Sequence, residues 1–268
     1  VAKCGLVFGC LLASAARAHL LAHEPFSYAP QEKLFGQSGG SGFAGAWLDD
    51  ASSADGRPFL VGGSLSLVSA IESGSCLAFR RPAMISRRLA EIEGRHGETL
   101  WISFLLSQSF AGGAPDYAVA RLSKSDALDL DWPRFGVFAD WRGKLFFGSD
   151  TLFRSAILSP VPFSSRRTYL VVASMRWDTR PGQAETLRLY VNPAPYADPA
   201  DLLPALERSD FDIANPADSR HLLNEFAFAT GDPPSKWFFD ELRIGTSYGD
   251  VVPMPQHSPR GPTSSRVD

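Results

Sequence analysis

The sequence predicts an all-β protein, a sandwich or barrel of antiparallel strands. Three observations predict it. Short segments with strand chemistry recur along the chain, separated by clusters of turn residues. Helical periodicity is scarce, and the helices that a parallel βαβ sheet needs between its strands are missing. The 268-residue chain is 44% hydrophobic and 21% charged, which supplies a real core and excludes a disordered chain. Its 23 Gly and 20 Pro are near-average counts that exclude collagen-like or low-complexity architecture. A net charge of −3 argues against a nucleic-acid groove, which needs a basic face.

The first segment, 1–18, reads VAKCGLVFGCLLASAARA. Lys3 precedes an apolar run from Cys4 to Ala13, and Ala16-Arg17-Ala18 gives an A-x-A cleavage pattern. This is the form of a secretory signal peptide. The run is shorter than the roughly 20 apolar residues of a membrane anchor. The expectation is therefore a secreted or cell-envelope protein with no membrane anchor after cleavage. Cleavage removes Lys3, Arg17 and no acid, so the mature chain carries about −5. It also removes Cys4 and Cys10 and leaves Cys76 alone, so the exported domain is held by its core without an intramolecular disulfide. Cys76 sits in CLAFR and reads as a buried small hydrophobe, not a reactive thiol.

The body, 19–252, reads as one domain. Thr99–Leu106 (TLWISFLL) and Tyr117–Leu122 are strands. Phe135–Phe138 and Lys144–Phe147 flank the turn Asp140-Trp141-Arg142-Gly143 as a hairpin. Tyr169–Trp177 (YLVVASMRW) is long and apolar enough for the middle of a sheet. In Thr186–Val191 the residues Leu187, Leu189 and Val191 point one way, Arg188 and Tyr190 the other. Trp237–Ile244 closes the series, with Phe238, Asp240, Leu242 and Ile244 expected on one face. Met84–Glu93 and Asp201–Arg208 have helix-forming character and supply the expected helical turns. The end, 253–268, is rich in Pro and Ser without an apolar period and reads as a disordered tail.

Three stretches taken together resemble the concanavalin A-like lectin/glucanase superfamily, in particular the laminin G-like jelly-roll domains of secreted bacterial proteins. They are Leu20–Trp47, with E-P-F, a Gly-rich turn and G-A-W; Gly97–Leu106, GETLWISFLL; and Phe238–Pro253, FFDELRIGTSYGDVVP. The resemblance implies a two-sheet antiparallel jelly-roll sandwich with one or two short helical turns. It also implies a family in which binding is commoner than catalysis.

Residues for catalysis do not emerge. The laminarinase-type members of that superfamily carry E-x-D-x-E, whose glutamates act across the scissile bond. No Glu in this chain is followed by Asp two places on, and Glu91-Ile92-Glu93 reads as solvated. There is no H-E-x-x-H and no metal-ligand spacing among His19, His23, His96, His221 and His257. His23 reads as exposed.

Two sites are expected. The resemblance implies a structural calcium held by Asp240, by a carbonyl near Glu24 or Pro25, and by the loop Gly39–Gly42. The alternative is that Asp240 accepts backbone N–H bonds or pairs with an Arg. The second site is a glycan-contact patch of Trp132, Trp141, Tyr117, Asp131, Asp140 and Arg142, which gathers aromatic rings and planar polar groups at turns. The alternative is that the two tryptophans pack as lids over the sandwich ends. The leading reading is a secreted, non-catalytic jelly-roll domain that binds carbohydrate or another extracellular surface component. A divergent carbohydrate-active hydrolase and a structural or adhesive envelope protein are the other two.

Overall fold

The computed structural model describes residues 19–49, 58–67, 74–79, 82–109, 117–124, 135–140, 144–148, 158–211, 221–231 and 236–252. The expected signal peptide and C-terminal tail lie outside them.

Fifteen strands and one short helix follow one another in the described residues. The strands are β1 (Leu20–Glu24), β2 (Leu48–Asp49), β3 (Phe59–Gly62), β4 (Ser75–Phe79) and β5 (Ala83–Glu93). Then come β6 (Thr99–Gln108), β7 (Tyr117–Ser123), β8 (Phe135–Asp140), β9 (Lys144–Gly148) and β10 (Leu158–Pro162). The series ends with β11 (Thr168–Arg176), β12 (Glu185–Val191), β13 (Leu206–Phe211), β14 (Leu222–Thr230), β15 (Trp237–Gly245) and helix α1 (Tyr248–Val251). An eight-stranded sheet runs β13-β12-β11-β6-β15-β4-β3, with β1 also paired to β15. A seven-stranded sheet runs β10-β9-β8-β7-β14-β5-β2. Every described strand pairing is antiparallel. This is the expected jelly-roll sandwich.

The inner faces of the two sheets meet in one core. From the eight-stranded sheet, β6 contributes Leu100, Ile102, Phe104 and Leu106, and β11 contributes Val171, Ala173 and Met175. From the seven-stranded sheet, β7 contributes Ala118, Ala120 and Leu122, and β14 contributes Leu223, Phe226 and Phe228. The continuous apolar run of TLWISFLL has a second cause. Its other row, Trp101 and Leu105, is covered on the outer face by Tyr248, Val251 and Val252 in and after α1. A strand buried on both faces loses the polar alternation of a half-exposed one. Ser247 caps α1 in a capping box with Asp250, which holds this cover in place.

Three expectations about elements are corrected. Met84–Glu93 lies within strand β5, not a helix, and pairs with β14 and β2. Its buried row is Ile85, Arg87 and Leu89, a period of two hidden by the arginine in its middle. Asp201–Arg208 forms no helix; β13 begins at Leu206. On β15 the core row is Trp237, Phe239, Leu242 and Ile244. The register shifts between Asp240 and Arg243, where Glu241 has φ +49°. That bulge inserts one residue, so the alternation changes phase midway along the strand.

Candidate binding site

Of the six residues expected to contact a glycan, the structure describes Tyr117 and Asp140. Trp132, Trp141, Asp131 and Arg142 lie outside the described residues. Tyr117 opens β7 and Asp140 closes β8, and the two stand directly opposite each other in the ladder. Asp140 accepts a hydrogen bond from Lys144 N at 3.0 Å, which ties the two strands of the hairpin at its turn. The ring of Tyr117 lies where a Cβ on Gly231 would stand, so that glycine leaves room for it.

Strand alternation extends this pair into a surface. Tyr117, Val119, Arg121 and Ser123 share the outer face of β7, because Ala118, Ala120 and Leu122 face the core. Beside them on β14 stand Ala229, Ala227 and Glu225, opposite Val119, Arg121 and Ser123. Beyond those on β5 stand Met84, Ser86 and Arg88. On the other side Gly136 of β8 faces Arg121. Arg121 therefore lies among small residues, with Ala227 on one flank and Gly136 on the other. Its Nη2 donates to Met84 Sδ at 2.7 Å. Burial pushes its guanidinium below the ordinary arginine value, against the opposing charges of Glu225 and Tyr117. Arg121, Glu225 and Arg88 were not anticipated from sequence. The alternation of YAVARLS does place Arg121 on the face of Tyr117, but the pairing that adds Glu225 and Arg88 spans more than a hundred residues.

Asp140 sits in the row of Tyr117, and Glu225 in the row of Ser123. Six residues of extended chain separate those rows by roughly 20 Å. The paired carboxylates of glycosidases lie about 5–9.5 Å apart. Asp140 and Glu225 therefore cannot act as such a pair.

The residues expected around calcium form two separate donor-rich clusters. Glu24 is fully buried. It accepts hydrogen bonds from Phe26 N (3.0 Å), Tyr28 Oη (2.8 Å), Trp47 Nε1 (3.0 Å) and Arg87 Nη1 (2.8 Å). Arg87 also donates to Gly39 O and Gly45 O, each at 2.7 Å, and its guanidinium lies 4.3 Å from the Phe43 ring centroid. The E-P-F turn across Pro25, the Gly-rich loop and the G-A-W segment are thus drawn together by one buried ion pair. Asp240, also fully buried, accepts from Ser64 Oγ (2.5 Å), Leu65 N (2.8 Å) and Glu241 N (2.8 Å). Calcium takes six to eight oxygen ligands. Asp240 faces N–H and O–H donors and the Gly39 carbonyl faces Arg87, so these two of the expected ligands spend acceptors on protein donors. His23, expected to be exposed, is half-buried, with Nε2 3.1 Å from Glu241 Oε2. Burial opposes ionisation of Glu241, but the bonds from His23 and Arg243 outweigh it and hold this carboxyl below its ordinary value.

No family model matches the chain, and no curated protein matches it. Solved structures do. The chain is similar to an endo-1,3-beta-glucanase from Streptomyces sioyaensis, at 13% identity and a TM-score of 0.50, over 87% of this chain and 98% of that one. It is similar to the globular domain of T. cruzi calreticulin, at 12% identity and a TM-score of 0.49, over 87% and 91%. It is also similar to an endo-beta-1,4-glucuronan lyase from the fungus Trichoderma reesei, at 14% identity and a TM-score of 0.44, over 76% and 96%. At such identities the likeness to the glucanase defines a class of fold, the two-sheet jelly roll.

Proposed function

We propose that this chain is an exported, non-catalytic jelly-roll domain of the concanavalin A-like kind that binds carbohydrate on the outer face of its seven-stranded sheet. The observation that carries the reading is the arrangement on β7 and its neighbours. Tyr117, Arg121, Glu225 and Arg88 stand around Ala227, Ala229 and Gly136 on the outer face of the sheet. Aromatic faces take the apolar C–H side of a sugar, and planar polar groups bond its hydroxyls. The similar Streptomyces protein is named as a glucanase, which supports carbohydrate as the ligand class. The roughly 20 Å between Asp140 and Glu225 supports binding over hydrolysis. The signal-like segment 1–18 supports export. Trp132, Trp141, Asp131 and Arg142 belong to the proposed contact set through their places before and after β8.

Glycan-array screening followed by calorimetry tests this. A β-glucan or related oligosaccharide is expected to bind, and Tyr117→Ala and Trp141→Ala are each expected to weaken it about tenfold with an unchanged circular dichroism spectrum. Absence of any glycan ligand, or affinity indifferent to both variants, removes the site. Release of reducing ends from the bound glycan would overturn the non-catalytic part.

A further inference from the structure

The opposite face of the molecule carries a second polar groove. On the outer face of the eight-stranded sheet, β6, β11 and β12 set Thr99, Arg176 and Thr186 in one row. The next row holds Trp101, Ser174 and Arg188. Two cavities, of about 270 and 210 Å³, open over these rows and share Arg176 and Thr186 as lining residues. The first reaches Asp178 and His96; the second reaches Tyr190, whose ring stacks on Trp101 at 5.9 Å.

The charges of the groove are unevenly matched. Asp178 is held by Arg180, whose Nε donates to Oδ1 at 2.8 Å, and lies 3.3 Å from His96 Nδ1. Glu207 is held by Arg188 at 2.8 Å. Each of these acids thus has its own arginine. Arg176 is exposed and has no carboxylate within ion-pair distance among the described residues. It lines both cavities, with Thr99 and Thr186 directly opposite it on the two flanking strands, one strand spacing of about 4.8 Å away.

A guanidinium presents donors in a fixed fork that matches a carboxylate, and hydroxyls that both donate and accept suit a polyol. Each cavity falls below the ~300 Å³ of a site for a drug-sized ligand, and two joined compartments suit two linked small rings. We infer that this groove binds an acidic saccharide, with the carboxylate of a uronate unit on Arg176 and its neighbouring hydroxyls on Thr99 and Thr186. The site is separate from the proposed neutral-glycan surface, because it lies on the other sheet and faces the other way.

The test is calorimetry of the purified chain at low salt with a glucuronate trisaccharide, a glucose trisaccharide and inorganic sulfate. The uronate trisaccharide is expected to bind, and Arg176→Gln to weaken it at least tenfold, with Thr186→Val weakening it less. Lys33→Gln, which removes one exposed charge elsewhere, is expected to leave that affinity unchanged. The glucose trisaccharide is expected to show no dependence on Arg176. The inference is overturned if the uronate does not bind, or if Arg176→Gln and Lys33→Gln act alike. It is equally overturned if sulfate displaces the trisaccharide at equal concentration, which would make the groove a general anion site.

Discussion

Asp240 shows how one buried carboxyl reports on a fold. Burial pushes it up to about 7 from an ordinary 3.8, while bonds from Ser64, Leu65 and Glu241 pull the other way. Its charge also helps raise the neighbouring Cys76 thiol to about 12, after burial as the main cause, which leaves that thiol inert at neutral pH. Between about pH 4 and 7 the folded chain keeps a proton on Asp240 that the unfolded chain releases. Stability from this group is therefore full below about pH 4 and is lost as pH rises through 7, by up to about 4 kcal/mol. Urea unfolding at pH 4.5, 6 and 8 checks this. Wild type is expected to lose stability across the window relative to Asp240→Asn, which carries no proton to release; parallel curves would assign the effect elsewhere. The same samples with calcium or chelator are expected to unfold alike, since Asp240 spends its acceptors on protein donors. A calcium-dependent shift abolished by Asp240→Ala would restore the metal reading. Sequence showed that an Asp in an apolar strand needs a partner. It did not show which, because Ser64 lies 176 residues away and meets it through β3–β4 pairing with β15.

Elements were legible where local pattern and final environment agreed. The hairpin of β8 and β9 and the alternation of β12 follow from short runs whose faces the sequence states directly. β5 is not legible as a strand because Arg87 occupies a core position, and an arginine inside is legible only once Glu24, 63 residues away, is seen to receive it. The phase of β15 in its first half is not legible, because a bulge at a glutamate has no sequence signature. The Gly-rich turn after β1 is the reverse case, where the sequence marks a close approach. Gly42 has φ +80°, and a Cβ there would run into the backbone carbonyl of Leu21 and the Cα of Ala22. Backbone cannot step aside as a side chain can. Gly42→Ala is expected to cost roughly 2–4 kcal/mol, combining left-handed strain with overpacking. Gly36 also has positive φ but has nothing near its Cβ position, so Gly36→Ala is expected to cost only about 1 kcal/mol. Chemical denaturation of both variants separates the two causes, and equal losses would mean that the contact with Leu21 contributes nothing.

The molecule as a whole depends on two sheets sharing one interior, and the aromatic cluster around Phe228 is where they meet. Phe228, on the seven-stranded sheet, packs on Phe239 at 4.3 Å and on Phe104 at 6.2 Å, both from the eight-stranded sheet. It also packs on Trp47 at 6.3 Å and Phe26 at 6.2 Å, which belong to the segment organised by Glu24 and Arg87. One side chain therefore touches both layers and the N-terminal loop. The described cysteine, Cys76, is free and buried, so no covalent link through it supplements these contacts. Two consequences follow for unfolding. Neither sheet retains a covered inner face without the other, so both are expected to unfold in a single transition, with tryptophan fluorescence and far-UV circular dichroism coincident. Phe228→Ala is expected to cost about 3–5 kcal/mol, because the cavity it leaves is walled by rings from three segments that cannot all collapse into it. If the variant instead showed two separated transitions, the layers would be folding independently and the shared core would not be what joins them. A loss near 1 kcal/mol would mean that the surrounding rings close the gap, and the hinge of the sandwich would then have to be sought in another residue pair across the layers.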